Sequence, residues 1–369
     1  MKAAVLYEFG KDMAIEEVRL ADPKDREVLL RITAAGVCHS DLSTFHGKGG
    51  VQLPIILGHE ATAVVERVGP GTSRVKKGDA VILSWAPNCG ACFFCRAGFP
   101  TSCEVCAAAG AAGGLWDGTS RLSLPSGQRI TTFACQSSFA EYAVVPEAGC
   151  TPIPASVSQP VAALVGCAVT TGFGAAVNDA KVRPGDSVAI WGLGGVGLSA
   201  LMGAKLSGAE TIVAVDVNPK KEAVARRFGA THFVNPKTEG DVPRAIKVLT
   251  KGRGADATFD CIGKSVVFEQ TFDSVRAGGT IVVVGQAAKG EAFRIPSGRN
   301  LMAAQKRIIG SHYGGGVPEQ DFMRILGLYA NGKLDLDALI GKTVPLEGIN
   351  DAFRELESGI DTRTVITFA

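Results

Sequence analysis

The sequence predicts a β-rich part and an α/β part in one chain, with a doubly wound parallel sheet in the α/β part. Two observations carry this prediction. Short β-like runs separated by glycine, proline and aspartate fill the first 150 residues, a pattern typical of a mostly β region with tight turns. After about residue 165, apolar strands alternate with helical stretches, which indicates a parallel sheet with helices on both faces.

The β-rich part comes first in the chain. Residues 1–8 predict a strand and not a signal peptide, because they lack a long apolar core and a cleavage site. Further strands are predicted at residues 27–32 and 61–68. A Gly78-Asp79 turn leads into another strand at residues 80–83.

The α/β part begins with a strand at residues 188–191, followed by a glycine-rich turn and a helix that continues to Lys205. After a strand at residues 211–215, Asn218 is expected to cap a helix that has Pro219 in its first turn. From about residue 312 the chain returns to loop and helix character. The remaining strands are predicted at residues 257–261, 280–284 and 364–368.

Composition limits the class of protein. The 369 residues suffice for two domains with sizeable cores, and 46% hydrophobic with 20% charged residues is typical of a folded chain. A net charge of +2 without a dense basic stripe gives no reason to expect nucleic acid or an anionic membrane as a partner. Apolar runs break before the ~20 residues that cross a bilayer. We therefore predict no membrane span and a cytoplasmic location.

A dinucleotide-binding motif follows the first α/β strand. The pattern G-x-G-x-x-G is matched by Gly192-Leu193-Gly194-Gly195-Val196-Gly197. Glycines there allow a tight turn and a close approach to a pyrophosphate, which the N-terminus of the next helix attracts. In a glycine-rich chain such a run could also be a simple turn, so the context decides.

The context favours NAD. Asp216 ends the second predicted strand, 19 residues after Gly197, where a carboxylate accepts hydrogen bonds from the adenosine ribose. It would also repel a 2′-phosphate, which predicts NAD over NADP. Lys221 could contact the same ribose, or be an ordinary solvated lysine.

Four cysteines within fifteen residues predict a structural zinc site. Cys89, Cys92, Cys95 and Cys103 follow the pattern C-x₂-C-x₂-C-x₇-C. Four thiolates suit tetrahedral zinc and leave no open position for a substrate. Cys106 is expected to be a spare thiol. A zinc ribbon that binds nucleic acid is the rival reading, and the near-neutral charge disfavours it.

A catalytic zinc would need three protein ligands and one open position. The candidates are Cys38 beside His39 in GVCHSD, His59 in GHE, and Cys167 in VGCAVT. Spacing alone does not connect positions so far apart, and His59 fits an ordinary loop histidine equally well.

The residues carry a resemblance to a known family. Eight parts of the sequence resemble zinc-containing alcohol dehydrogenases of the medium-chain dehydrogenase/reductase family. They are the four-cysteine lobe and the segments GVCHSD, LGHEATAVVERVG, WDGTSRLS, GCAVTTGFGAA, GLGGVGLSA, VDVNPKK and RTVITF. The resemblance covers essentially the whole chain. It implies a GroES-like catalytic domain formed by residues 1–168 and 312–369. A Rossmann NAD-binding domain at residues 169–311 would be inserted between them.

The resemblance also implies roles at the catalytic metal. Cys38, His59 and Cys167 would be the ligands of a Cys₂His zinc site. Ser40 would hydrogen-bond the alcohol, and Asp41 would orient His59. Glu60 would lie near the metal.

Further roles are implied for the cofactor and the substrate. His39 and Arg363 would contact the cofactor pyrophosphate, and Trp85 would line the substrate pocket. Ser43 stands where several members have a histidine that passes the proton to solvent, so the sequence departs from the family at the last relay step.

The expected activity is reversible, NAD-linked oxidation of primary aliphatic, allylic or benzylic alcohols to aldehydes, with two zinc ions per chain. A homo-oligomer is expected, with a dimer favoured over a tetramer. One alternative is a glutathione-dependent formaldehyde dehydrogenase acting on S-(hydroxymethyl)glutathione. A zinc-free reductase on the same scaffold is a second alternative, and a catalytically silent structural or binding relative is a third.

Overall fold

A computed structural model describes residues 1–154, 156–359 and 363–368. The chain forms two compact units. The first unit combines Met1–Cys167 with Gly316–Ala369, and the second unit is Ala168–Gly315. The chain therefore leaves the first unit once and returns to it.

The first unit begins with short strands in antiparallel pairs. The strands predicted in this part all form, and strand β4 extends further than predicted. The strands are β1 (Lys2–Leu6), β2 (Ala14–Glu17), β3 (Arg19–Leu20), β4 (Glu27–Gly36), β5 (Ile55–Ile56), β6 (Ala61–Val68), β7 (Ala80–Leu83), β8 (Leu122–Ser123), β9 (Thr131–Thr132), β10 (Tyr142–Pro146) and β11 (Cys150–Pro152).

These strands form three sheets. A four-stranded sheet has the order β2-β1-β5-β9, and β3 pairs with β8. The largest sheet places β6 between β4 and β7, with β11 on the far side of β7. Alternating residues of β4, including Leu30 and Ile32, are fully buried in the core of this unit, as expected for a strand with one face on a core.

Short helices interrupt the strands of the first unit. They are α1 (His39–Phe45), α2 (Phe93–Arg96), α3 (Glu104–Ala112) and α4 (Gln159–Leu164), with 3₁₀ turns at Pro100–Ser102 and Glu147–Gly149. A π-helical turn, Val165–Val169, continues α4. Helix α3 ends where Gly113 takes the left-handed conformation with φ +61°, which glycine adopts without steric cost.

The second unit is an open parallel sheet. Its strands are β12 (Ser187–Trp191), β13 (Thr211–Val215), β14 (His232–Val234), β15 (Ala255–Asp260), β16 (Val275–Val283) and β17 (Arg307–Gly310). The spatial order β14-β13-β12-β15-β16-β17 is the doubly wound order 3-2-1-4-5-6. The predicted fold class is confirmed, including the strands expected at residues 188–191, 211–215, 257–261 and 280–284.

Helix α5 (Thr170–Gly174) precedes these strands, and the other helices lie between them along the chain. They are α6 (Gly195–Leu206), α7 (Glu222–Arg227), α8 (Pro236–Glu239), α9 (Val242–Leu249), α10 (Ser265–Ser274) and α11 (Gly298–Ala303). Asn218 begins the turn before α7 as predicted, since its side chain accepts the Lys220 N–H. This turn, Pro219–Lys221, is 3₁₀ and α7 follows directly.

The returning segment completes the first unit. It contains α12 (Pro318–Ala330), α13 (Ile349–Ser358), β18 (Ile340–Val344) and β19 (Arg363–Thr367). Strand β19 pairs antiparallel with β4 and parallel with β18. The large sheet therefore joins the first 152 residues to the end of the described chain in seven strands, with β10 also paired to β4.

In the part of the chain that the structure describes, one apolar helical stretch is long enough to cross a membrane. It runs over the 21 residues Gln159–Asp179, and an 18-residue window of it has a mean hydropathy of 1.7 and is 83% buried. Such burial is typical of a core helix. The predicted cytoplasmic location stays a prediction.

Candidate active site and metal centres

The four cysteines of the predicted structural site lie together. Their sulfur atoms are all within 4.8 Å of one another, in the set Cys89, Cys92, Cys95 and Cys103. Local structure brings them there, because Cys92 precedes α2 and Cys103 precedes α3 directly. The sulfurs of Cys92 and Cys103 are 4.0 Å apart. This donor set fits a four-coordinate zinc ion.

Backbone amides support the cysteine sulfurs. The N–H groups of Ala91 and Cys92 donate to the sulfur of Cys89. Hydrogen bonds from the backbone of Cys95 and Glu104 lower the pKa of Cys92 to about 6. Burial raises the pKa of Cys95 and Cys103, so among these three cysteines the backbone favours the metal-binding thiolate form at Cys92.

Cys106 lies outside this set, as predicted for a spare thiol. Its side chain pairs with Cys135, and this hydrogen bond together with burial raises the pKa of Cys106. Both cysteines belong to a small apolar cluster with Ala109 and Leu115. Cys106 is therefore a neutral packing residue.

A second cluster unites Cys38, His59 and Cys167. All three are buried, and their ligand atoms lie within 4.8 Å of one another. Nε2 of His59 is 3.3 Å from Sγ of Cys167. Cys38 precedes α1, and Cys167 lies in the π-helical turn after α4. The donors are two sulfurs and one imidazole nitrogen, which suits zinc and leaves a fourth position open.

Asp41 orients the histidine of this cluster. Its carboxylate is fully buried, and Oδ1 lies 3.0 Å from Nδ1 of His59. The same oxygen accepts the Gly58 N–H at 3.0 Å, while Oδ2 accepts the Cys38 N–H at 3.2 Å. A carboxylate on Nδ1 leaves the Nε2 lone pair for a metal. One side chain thus fixes two of the three candidate ligands.

Glu60 and Arg363 form an ion pair beside the cluster. Glu60 has no exposed surface, and Arg363 at the start of β19 is also buried. A Cβ on Gly36 would lie 2.9 Å from Cδ of Glu60, so a larger residue there would displace the Glu60 carboxyl group. Burial raises the pKa of Glu60 to about 7, with the Arg363 charge opposing the shift.

Arg363 was expected at the cofactor pyrophosphate. In the structure its guanidinium donates to Glu60, and interactions with Cys38 and Cys167 also raise its pKa. A pyrophosphate contact for Arg363 stays a prediction, as does that for His39, which begins α1.

Two further residues, Ser40 and Trp85, were predicted to contact the alcohol substrate. Ser40 is half-buried in the first turn of α1, one residue before Asp41. Trp85 is half-buried just after β7. Their proposed contacts with the alcohol stay predictions.

The glycine-rich turn lies between β12 and α6 of the second unit. A Cβ on Gly192 would be 2.6 Å from Ile262, and one on Gly197 would be 1.9 Å from the Gly192 carbonyl oxygen. Packing therefore explains both glycines. Gly194 caps α6, and a Cβ there would meet no atom within 4 Å. This open space at a helix N-terminus fits a pyrophosphate that approaches the backbone.

Asp216 and Lys221 hold this turn in place. Asp216 accepts the Leu193 N–H at 2.8 Å and the Asn218 N–H at 2.9 Å. Nζ of Lys221 donates to the Leu193 carbonyl at 3.1 Å. Both side chains therefore meet at the second residue of the motif.

Sequence reasoning missed one neighbour of the metal cluster. The ring of Phe133 packs edge-on against the His59 imidazole, with centroids 5.7 Å apart. Phe133 begins a loop in which Ala134, Cys135 and Ser137 all have positive φ. No glycine or asparagine marks these positions in the sequence, so the loop gave no recognisable signal.

Comparison with known proteins agrees with this geometry. Residues 24–155 match the family model "Alcohol dehydrogenase GroES-like domain", and residues 195–331 match "Zinc-binding dehydrogenase". An alcohol dehydrogenase class-3 from Drosophila melanogaster is 39% identical over 373 residues, covering all of this chain and 97% of the relative.

Solved structures show the same similarity. An alcohol dehydrogenase zinc-binding domain protein from Burkholderia ambifaria has a TM-score of 0.95 at 36% identity, over 100% of this chain and 98% of the other. A benzyl alcohol dehydrogenase from Acinetobacter calcoaceticus has a TM-score of 0.94 at 33% identity, over 100% and 99%. The chain therefore belongs to the zinc-containing alcohol dehydrogenases of the medium-chain dehydrogenase/reductase family.

Proposed function

We propose that this chain catalyses the reversible, NAD-linked oxidation of a primary alcohol to an aldehyde. The observation that carries the proposal is the buried set of Cys38, His59 and Cys167, whose imidazole is oriented by Asp41. NAD and zinc are the cofactors that the family and the two donor sets indicate.

The chemistry divides between cofactors and chain. When bound, zinc supplies Lewis-acid polarisation that lowers the pKa of an alcohol hydroxyl, and NAD supplies the hydride acceptor. The chain supplies the position of these groups and a path for the proton. Cys38, His59 and Cys167 would hold the metal, and two thiolates would reduce its effective charge.

Ser40 is the proposed first proton acceptor. It lies in the same helical turn as Asp41, directly after Cys38 and His39. Its Oγ would accept the hydroxyl proton of the alcohol as the alkoxide forms, while its own hydroxyl proton passes on towards solvent. Both transfers would run in reverse when an aldehyde is reduced. Asp41 takes no part in this transfer, because its carboxylate is bonded to His59, Gly58 and Cys38.

Glu60 and Arg363 are proposed to tune the charge near the metal. The Arg363 guanidinium faces the Glu60 carboxyl group and also approaches Cys38. A buried guanidinium stabilises anionic sulfur, and the Glu60 carboxylate, when ionised, offsets its positive charge.

A benzylic alcohol is the first substrate to test. A structure named benzyl alcohol dehydrogenase is similar over the whole chain, and Trp85 offers an aromatic wall at the proposed pocket. Aliphatic and allylic primary alcohols are the other members of the proposed class.

The second candidate is oxidation of S-(hydroxymethyl)glutathione. Similarity to an alcohol dehydrogenase of class 3 favours it. Against it, residues 107–114 are only alanine and glycine. This stretch, in and after α3, offers no charged side chain for an anionic substrate.

The test combines metal content with a substrate panel. NADH formation is followed with benzyl alcohol, an allylic alcohol, ethanol, and formaldehyde with glutathione. Two zinc ions per chain and turnover of simple alcohols support the first candidate. Activity only with the glutathione adduct selects the second. One zinc per chain without any turnover contradicts both.

We also propose that the chain forms a homodimer, following the family resemblance. Light scattering of the purified protein measures its mass directly. A mass of twice 38.2 kDa supports the dimer. A mass of four chains would replace it with a tetramer.

A further inference from the structure

The loop Phe133–Phe139 has an unusual backbone next to the metal cluster. Ala134, Cys135 and Ser137 have φ values of 52°, 55° and 56°. Non-glycine residues adopt this left-handed conformation at a cost in free energy, and they retain it only where their surroundings enforce it. Three such residues within four positions require strong contacts that hold the loop in shape.

Ser137 makes the contacts that define the loop. Its side chain is 1% exposed. Its Oγ accepts the Phe133 N–H at 2.9 Å and donates to the Ile56 carbonyl at 2.8 Å. The hydroxyl therefore closes the loop on itself and fastens it to strand β5.

The loop continues along the segment that leads to His59. The Ser138 N–H donates to the Gly58 carbonyl at 3.1 Å, and the Phe139 N–H donates to the Leu57 carbonyl at 3.0 Å. Gly58 has φ +95°, and a Cβ there would be 2.6 Å from the Phe139 nitrogen. The backbones of Gly58 and Phe139 are therefore too close to leave room for a side chain at position 58.

This contact reaches the metal cluster in two ways. The Gly58 N–H, fixed by the loop, donates to Asp41 at 3.0 Å. At the other end of the loop, the Phe133 ring lies edge-on to the His59 imidazole. The imidazole is therefore held by Asp41 at Nδ1 and by Phe133 against its side, which directs Nε2 towards Cys167.

We propose that Ser137 is a positioning residue for the metal ligand His59. Its hydroxyl holds the loop Phe133–Phe139 in the shape that fixes the backbone of Gly58 and the ring of Phe133. The inference rests on the proposed function only in that His59 is a metal ligand. It requires no knowledge of the alcohol.

Ser138 provides a matched control in the same loop. It is fully buried, and its Oγ has no hydrogen-bond partner among the described residues. Ser137→Ala and Ser138→Ala remove the same atom from adjacent buried positions. Only the first change removes hydrogen bonds. The Ser138 Oγ lies against Gly58, where a Cβ would be 2.6 Å from it, so the second change tests the loss of packing at Gly58 alone. Ser137→Gly is the third variant, because glycine adopts a positive φ without strain. Comparing it with Ser137→Ala separates the effect of the lost hydroxyl from the free-energy cost of the left-handed backbone.

The experiment measures metal release from the purified, zinc-loaded protein. Each variant is exposed to excess chelator, and zinc release is followed with time. Ser137→Ala and Ser137→Gly should release one of the two zinc ions at least about 10-fold faster than the parent chain, the scale seen when a partner that orients a metal ligand is lost. The zinc of the four-cysteine site should leave at the parent rate. Ser138→Ala should match the parent chain for both ions.

Cobalt gives a second readout of ligand geometry. With Co²⁺ in place of zinc, the visible absorption bands should shift in Ser137→Ala and stay unchanged in Ser138→Ala. Parent-like release and an unchanged cobalt spectrum in Ser137→Ala would overturn the proposal. Equal acceleration of both zinc ions would also overturn it, because that result indicates a general loss of folding. A parent chain that holds two zinc ions but oxidises no alcohol would refute the proposed function and leave this test intact.

Discussion

Arg363 and Glu60 face each other with their side chains only 4% and 0% exposed to solvent. Arg363 begins strand β19, and Glu60 precedes strand β6. The two charges are therefore brought together by the fold from opposite ends of the chain. Because water does not reach them, Glu60 relies on Arg363 as its counter-charge, while Arg363 also interacts with Cys38 and Cys167.

Removing one partner of this pair should be costly. Burial already raises the pKa of Glu60 to about 7, so in Arg363→Met the carboxyl group takes up a proton and is left buried without its partner. We expect a loss of about 1–3 kcal/mol in the free energy of unfolding. Adding Glu60→Leu should recover more than half of this loss. Chemical denaturation measures both values.

The exposed pair Lys2–Glu347 provides the control for the buried pair. Its side chains are 53% and 57% exposed, so Lys2→Met should cost less than about 1 kcal/mol. If Arg363→Met and Lys2→Met lower the free energy of unfolding by equal amounts, burial does not determine how much the Arg363–Glu60 pair contributes to stability.

Ser40→Ala should lower kcat by about 100-fold or more, because a positioned proton-transfer group contributes on that scale. Zinc content and thermal stability should not change. Ser43→Ala is the matched variant, three residues from Ser40 in the same helix α1, and should keep parent-like turnover. Near-parent turnover of Ser40→Ala at neutral pH would remove Ser40 from the proton path.

Asp216→Asn should weaken the use of NAD. The carboxylate accepts two backbone N–H groups of the glycine-rich turn, and an amide can accept at only one of its two atoms. We expect kcat/KM for NAD to fall about 10-fold and the preference over NADP to narrow. Asp241→Asn, at the cap of α9, should change neither value. Better use of NADP than of NAD by the parent chain would contradict the assignment.

Cys103→Ser should remove the structural zinc and spare the catalytic one. One of four thiolate ligands is lost, and binding of a structural metal contributes directly to folding. We expect one zinc ion per chain and a lower melting temperature. Cys106→Ser, three residues on, should retain two zinc ions, because the Cys106 side chain pairs with Cys135 and is not one of the four ligands. Loss of zinc from both variants would mean that the ligand set is misassigned.

Asp256 should make the second unit sensitive to acid. Partial burial raises its pKa, but hydrogen bonds from Ser187 and Arg276 outweigh this and lower it. A carboxyl with a depressed pKa in the folded state stabilises the fold above the unfolded value of about 3.9 and loses that contribution as the pH falls below it. Asp256→Asn should therefore lower the melting temperature at pH 7 and differ less at about pH 2, where the carboxyl group is protonated in both the folded and the unfolded state. A difference that does not depend on pH would contradict this role.

Local pattern was enough to predict much of the fold. The strands β6 and β7 and the glycine-rich turn before α6 lie where alternation and turn residues place them. Cys89, Cys92, Cys95 and Cys103 are close in sequence, so their proximity in space followed from spacing alone.

The catalytic cluster depends on contacts that no local pattern encodes. Cys38 and Cys167 are far apart in the sequence and are brought together by the tertiary fold. Only the resemblance to a family predicted that they share a metal site. The same limit explains Arg363, which β19 places beside Glu60. It also explains Ser137, whose left-handed backbone is held by Ile56 and not by its own residue type.

Strand β19 has a consequence for how the protein is made. It follows the entire second unit in the chain, yet it pairs with Ala34, Ala35 and Gly36 of β4, and its Thr364 carbonyl accepts the Val37 N–H next to Cys38. Synthesis proceeds at about 5–20 residues per second. This end of β4, residues 34–36, therefore has no β19 to pair with until some 300 later residues have been synthesised. Until then it is an unprotected strand edge, open to pairing with other chains. All residues of the second unit are synthesised before β19, so this unit can fold first. The nascent protein would then pass through an intermediate in which the second unit is folded and the large sheet of the first unit still lacks β19.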